Sequence, residues 1–209
     1  MTEFAALLAA PGVREVCELR PGRRGRLGFM AYHGGNLELL TDVIAEAAAE
    51  RSGASYYGVV QPAPMHEHVS SIKVRPEQSE ALASFVGYID VAITIHGFGR
   101  RGLFGSLLLG GRNRELAEHV GAALRRHLPA YDVRTDVDTI PRNLRGLHVD
   151  NPVNLPAGCG VQIELPPRVR GPVSPLWWDW EGPGLTPHTE SLIDGLVEAA
   201  VDWTDRSDD

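Results

Sequence analysis

The sequence predicts an α/β protein, a single domain in which a mixed or mostly parallel sheet is flanked by helices. Three observations carry that expectation. Apolar runs of strand length end on His33, on His96 and near Glu164. Segments with apolar residues at helical spacing lie between such runs, as after His33 and before Asp132. Glycine, proline and asparagine punctuate the changes from one period to the other.

Taken in order, residues 4–10 suit a short helix packed on the surface, and residues 13–19 alternate as a first strand. Pro21 and Gly22 then turn the chain into the run ending at His33, which reads as an edge hairpin. Asn36 is an N-cap for a helix carrying Leu37, Leu40, Val43, Ile44, Ala47 and Ala48 on its apolar side, stopped by Gly53. Glu38 falls in the first turn of that helix. Residues 54–60 form a strand, residues 61–67 a proline-bearing loop with His66, and residues 68–72 a further short strand. Pro76 opens a helix to about residue 85, and the strand ending at His96 follows.

Residues 104–109 are apolar between glycines and form a buried strand; residues 112–128 form a helix with Leu116, Val120, Ala123, Leu124 and His127 on one side. A strand at 132–137 precedes an irregular stretch, 141–159, of the length that functional loops and lids have. The strand 160–165 carries Glu164. Residues 166–187, with Trp177, Trp178 and Trp180, form a second long loop, a lid or a cap on the core, and residues 189–203 close the chain as a helix. The whole of 1–209 is expected to be one unit with its core in about 13–203 and a frayed acidic tail after Asp202.

A net charge of −7 and a pI near 5.6 exclude a protein whose main task is to hold nucleic acid by its phosphates. The arginines nevertheless gather beside the candidate strands: Arg20, Arg23, Arg24 and Arg26, then Arg100 and Arg101, then Arg168 and Arg170. They are solvated loop charges or, together, a positive mouth for an anionic substrate. Cys17 and Cys159 supply neither a disulfide framework nor a metal spacing. With no basic leader and no apolar run of ~18 residues, the expectation is a cytoplasmic protein that meets no membrane.

In α/β sheets the chemistry collects beyond the carboxyl ends of the strands. His33, Glu38 and His96 could there surround Zn²⁺ through two imidazoles and one carboxylate, leaving the fourth position open as catalytic sites do. Glu164 could take the proton from an attacking water. Each has a plainer reading: strand-end histidines bonded to backbone, a carboxylate favoured by a helix N-terminus, and a glutamate paired with Arg168 or Arg170. His66 and His68 are a rival pair with supporting roles, His68 as an orienting neighbour of the ligands.

The stretch from His33 through Gly34, Gly35, Asn36, Leu37 and Glu38 to Thr41 resembles the His-Gly-Gly-Gly-Ile-Glu-Pro-Gly-Thr signature of the phage-type poly-γ-glutamate hydrolases, zinc enzymes similar in fold to carboxypeptidase A. His68-Val69-Ser70-Ser71, Ile95-His96-Gly97, Gly110-Gly111-Arg112-Asn113 and Gly160-Val161-Gln162-Ile163-Glu164 resemble later motifs of that family, in the same order, and Arg170 its trailing arginine. Asn36 in place of a third glycine, Leu39-Leu40 in place of Pro-Gly, and Pro166-Pro167 after Glu164 depart from the pattern. The resemblance implies a zinc carboxypeptidase-like fold, zinc on His33, Glu38 and His96, and Glu164 as the catalytic carboxylate. The expected activity is hydrolysis of γ-glutamyl or related amide bonds in a carboxylate-rich peptide, with Arg170, Arg100 and Arg101 holding substrate carboxylates. The alternative is a peptide- or glycan-binding module on the same scaffold. Neither the substrate nor the oligomeric state follows from the sequence.

Overall fold

In the computed structural model, which describes residues 2–171 and 180–206, a seven-stranded mixed sheet runs in the order β1-β3-β2-β4-β7-β5-β6. Its strands are β1 (Arg14–Glu18), β2 (Leu27–Gly35), β3 (Ser55–Gln61), β4 (Val91–Gly97), β5 (Ser106–Leu109), β6 (Asp132–Arg134) and β7 (Gly160–Leu165). The four central strands β3, β2, β4 and β7 are mutually parallel, so they end at one edge. Antiparallel pairs fasten β1 to β3 and β5 to β7.

Alternation along the strands divides the interior in two. Phe29, Ala31, Ile93, Ile95, Val161 and Ile163 face one layer, where they pack with helices α2 (Thr41–Ser52), α4 (Arg114–His127) and α5 (Pro187–Asp205). Met30, Tyr32 and Ala92 face the other, under α1 (Glu3–Leu8) and α3 (Glu80–Tyr88). The helices start where side chains satisfy free amides: Asn113 accepts from Leu116 N at 2.8 Å, Ser79 from Leu82 N at 3.0 Å, and Thr186 from Thr189 N at 3.4 Å with Pro187 in the first helical position.

Several sequence expectations change. Arg14–Glu18 is an edge strand, but it pairs with β3 and not with β2, so there is no hairpin across Pro21 and Gly22. Residues 68–72 form no strand; the chain there is irregular and enters a 3-10 turn at Ser71–Lys73. Pro76 opens only a 3-10 turn, and α3 starts after Ser79. Helix α2 begins at Thr41, not Asn36, because Leu40 adopts a left-handed conformation (φ 69°), and Glu38 therefore lies in the turn before the helix. Helix α5 runs through Asp205, so the first part of the acidic end is ordered helix. Trp177 and Trp178 lie outside the described residues, as do residues 207–209.

β2 carries the one irregularity that shapes the site. Its register against β3 pairs Ala31 with Gly58 and then Gly34 with Val60, so β2 spends an extra residue at Tyr32-His33. A bulge of this kind re-aims a side chain. Tyr32 and His33, neighbours that a regular strand would send to opposite faces, both turn toward His96, each ring centroid 4.9 Å from it. Gly35 ends the strand at φ 70°, where an added Cβ would sit 2.2 Å from the Gln61 carbonyl oxygen. Gly35→Ala is therefore expected to lower stability by at least about 1–3 kcal/mol, read as a lower urea midpoint at unchanged slope; a variant as stable as the parent would mean that the end of β2 is not held this way.

Candidate metal centre

At the carboxyl edge of β2 and β4, His33, Glu38 and His96 each offer a ligand atom within 4.8 Å of the other two. The Glu38 carboxylate stands between the rings. One oxygen lies 2.9 Å from His33 Nδ1; the other lies 3.2 Å from His96 Nδ1 and accepts the Gly97 amide at 2.8 Å. Its backbone is fixed too, since Glu38 N donates to the His33 carbonyl at 3.0 Å and Thr41 N donates to the Glu38 carbonyl at 3.1 Å.

The outer ring nitrogens are committed. His33 Nε2 is 2.8 Å from the Val69 carbonyl, which only accepts, so that nitrogen carries a proton. His96 Nε2 lies 3.0 Å from the Tyr32 hydroxyl, which itself donates to Asn151 Oδ1 at 3.2 Å and so accepts from the imidazole. In neutral imidazoles with those tautomers, both Nδ1 lone pairs face the Glu38 carboxylate. Lone pairs and a carboxylate at such distances repel unless a cation lies among them. The donor set, two imidazole nitrogens and one carboxylate with their outer sides hydrogen-bonded, suits a divalent transition metal better than Mg²⁺ or Ca²⁺.

Glu164 and His96 occupy paired positions on β7 and β4. Glu164 is 5 % exposed and, among the described residues, forms no ion pair with Arg168 or Arg170; it accepts Gln162 Nε2 at 2.8 Å. From there a chain of bonds returns to His96: Asn151 Nδ2 donates to Gln162 Oε1 at 2.8 Å, and Asn151 Oδ1 accepts Tyr32. Tyr32 and Asn151 are missing from the residues that the sequence singles out, and Gln162 enters only within the motif that ends at Glu164. They are uncharged and have no ligand spacing, and only the period-two alternation that puts Gln162 on the same face as Glu164 could have pointed to one of them.

The two carboxylates titrate in opposite directions. Burial pushes Glu38 up, but without a metal the charge that the rings carry when protonated, that of His96 first, and the N–H bonds they then donate overcome it and hold the group well below the usual carboxylate range. Burial likewise dominates at Glu164 and is not overcome, so its pKa is pushed up to about 7. His96 is raised because Glu38 outweighs its burial.

Of the arginines, Arg170 reaches the centre. It is 8 % exposed, donates through Nη1 to the Leu39 carbonyl at 2.9 Å, and among the described residues leaves Nε without a partner; burial lowers its pKa against the fields of Glu38 and Glu164. Arg100 stays at the surface, donating to Asn143 Oδ1 at 3.2 Å, and Arg101 is exposed. Arg168 lies over the Tyr131 ring at 4.9 Å. The first arginine group belongs to the opposite edge: it precedes β2, about 20 Å of strand away from His33, and Arg20, Arg24 and Arg26 pair with Glu18, Asp205 and Asp90. It is no part of a mouth. His68 stands exposed with its ring 4.9 Å from that of His33, while the bond that orients His33 comes from Val69. His66 meets Asn36 at 2.8 Å, well outside the cluster.

The family model described as poly-gamma-glutamate hydrolase matches residues 13–173. Among solved structures, a bacteriophage poly-gamma-glutamate hydrolase superposes with a TM-score of 0.77 at 18 % identity, covering 97 % of this chain and 98 % of the other. A zinc-free apo form of YNDL superposes with a TM-score of 0.66 at 16 % identity, over 90 % of this chain and 88 % of that one. No curated protein matches the chain.

The raised pKa of Glu164 makes a stability prediction for metal-free protein. The unfolded carboxyl loses its proton above its ordinary value of 4.5, whereas the folded one keeps it to about 7. The folded state is thus penalised as pH rises through that window, by up to about 3 kcal/mol. Glu164→Gln removes the penalty, so chelator-treated variant should exceed parent in stability at pH 8 and lose the advantage at pH 4. Equal urea midpoints at pH 8 would contradict the buried, unpaired carboxylate.

Proposed function

The chain belongs to the poly-γ-glutamate hydrolase family, and from that premise we propose a zinc-dependent hydrolase that cuts γ-glutamyl amide bonds in a carboxylate-rich chain, with His33, Glu38 and His96 holding the metal and Glu164 moving the proton. The observation that carries this reading is the meeting of two imidazole nitrogens and one carboxylate within 4.8 Å, backed by outer-side hydrogen bonds that leave their lone pairs turned inward.

When bound, zinc supplies a Lewis acid that polarises the scissile carbonyl and acidifies a water molecule. The remaining work falls to side chains. Glu164, poised near neutrality by burial, takes a proton from the attacking water and returns it to the leaving amine, for which a pKa of about 7 matches both tasks. Gln162 holds the carboxylate by Oε1 and leaves the other oxygen available. Arg170 offers its unused Nε–H to a substrate carboxylate or to the oxygen that gains negative charge, and its burial strengthens that interaction. Arg100 is too exposed to act at the reacting atoms and serves the approach of anionic substrate, as Arg101 does more weakly. His68, at the mouth beside His33, lines the way in.

Two variants separate binding of metal from turnover. His96→Ala is expected to purify with far less than the parent's roughly one zinc per chain and to lose hydrolysis of γ-glutamyl polymer. Glu164→Gln is expected to keep its zinc and lose about 10²–10⁴-fold in turnover. Zinc and activity both retained in His96→Ala would sink the metal assignment; full activity in Glu164→Gln would sink the proton-transfer role alone.

A further inference from the structure

Beyond Gln162 the sheet face opens into a cavity of about 540 Å³, between the 3-10 turn at Ser71–Lys73 and the segment that begins with the 3-10 turn Arg142–Leu144. Its inner wall is the Asn151–Gln162 amide pair, one hydrogen bond from Glu164. The cavity is thus continuous with the proposed reaction centre through shared residues. Its size falls in the range that encloses a small organic ligand.

Charge distinguishes this cavity. Arg142, Arg145 and His148 line it, and among the described residues no carboxylate does. Arg145 is partly spent on Asp138 at 3.4 Å, whereas Arg142 is exposed and has no ion-pair or hydrogen-bond partner among the described residues. Arg100 is fastened to the same rim by its bond to Asn143. The neighbouring cavity on the far side of His68 carries Glu3 and Glu67 and repels an anionic chain.

The wall is also built in advance. Gly111 N donates to the Arg145 carbonyl at 2.8 Å, Asn154 Nδ2 donates to the Gly146 carbonyl at 2.7 Å, and Gly146 takes φ 61° with its Cα pressed against the Gln162 amide, where a Cβ would lie 2.7 Å from Oε1. A ligand need not order this segment, which spares binding that cost.

We propose that this groove holds the continuation of a γ-linked glutamate chain beyond the scissile bond, with Arg142 taking a free α-carboxylate of the bound run and Arg100 guiding the chain at the rim. The proposal rests on the functional reading above. It assigns to Arg142 a role in chain-length preference, since a two-unit substrate ends near Glu164 and a longer one fills the groove.

The test uses zinc-loaded full-length protein carrying Glu164→Gln, so that binding is measured without turnover, and two probes: γ-glutamylglutamate and a labelled γ-linked glutamate oligomer of about eight units. Adding Arg142→Glu is expected to weaken the oligomer about tenfold or more, to weaken the two-unit probe much less, and to flatten the salt dependence of oligomer binding. Arg142→Gln should give a smaller shift the same way. Arg24→Glu, the same charge change at the opposite edge, separates a local contact from the general field. The proposal is overturned if Arg142→Glu leaves oligomer affinity at the parent value, if both probes weaken equally, if Arg24→Glu weakens the oligomer as much, or if single-stranded nucleic acid competes as well as the oligomer. Failure of the active parent to hydrolyse any γ-glutamyl substrate is a separate result that removes the functional reading itself.

Discussion

The Glu38 carboxylate is the constraint around which this end of the molecule is arranged. It is only 13 % exposed, and a carboxylate that far from water is tolerated only if its oxygens are filled. The fillings come from two adjacent parallel strands: His33 from β2, His96 and the Gly97 amide from β4. Three backbone irregularities in a row serve that meeting. The bulge at Tyr32-His33 aims two consecutive rings inward, Gly35 turns the chain at positive φ, and Leu40 accepts a left-handed conformation that delays the helix by several residues. Strain of this kind persists where surrounding contacts over-determine it. Here the contacts include the bond from Glu38 N to the His33 carbonyl and that from Gly35 N to Asp42 Oδ1 at 3.0 Å.

From the same polar cluster the fold obtains two carboxylates with opposite habits. Glu38 faces two imidazoles and the Gly97 amide and stays ionised; Glu164, on β7, is more buried, accepts a single amide bond among the described residues and holds its proton to about 7. Environments that push like groups apart suit the division proposed between an anchoring and a proton-exchanging carboxylate. The amides Asn151 and Gln162 connect the two habits. Because an amide does not titrate, the chain from His96 through Tyr32 to Glu164 fixes orientation and tautomer without adding a charge of its own.

The strands carrying these groups were legible in the sequence because their signal is local: a β-rich apolar run closed by His-Gly is visible at β2 and β4 alike. What the sequence misread depends on partners far along the chain. Pro21 and Gly22 suggest a hairpin, yet β3 inserts beside β2 and takes β1 as its own edge, a choice made by parallel pairing across α2. Asn36 has the chemistry of an N-cap, but its amide is drawn to the Met65 carbonyl at 3.0 Å and to His66, and the helix starts later. The meeting of His33, Glu38 and His96 does not depend on that helix start, because Glu38 reaches the rings from a turn as well as it would from a helix. Arginine clustering misled in a simpler way: proximity in sequence to β2 put Arg20 to Arg26 at its wrong end, while Arg142 sits in a stretch read only as irregular loop.

That irregular loop was expected to resemble a lid, and its bonding argues for a wall. Residues 141–159 have little regular structure, but they exchange hydrogen bonds with β7 and with the turn after β5 through Arg145, Asn151 and Asn154. Val153 is fully buried in the layer under α3. A segment tied at so many points does not open on its own without exposing unpaired amides, which is the cost that keeps it closed on the sheet. The side of the site nearest Glu164 is consequently the rigid one, which suits the proton-transfer role proposed for Glu164. The connection that leaves β7 begins with the 3-10 turn Pro167–Val169 and Arg170. The buried guanidinium thus fixes one end of that connection to the Leu39 carbonyl, so the group proposed to meet substrate charge also pins the chain where the connection leaves the sheet.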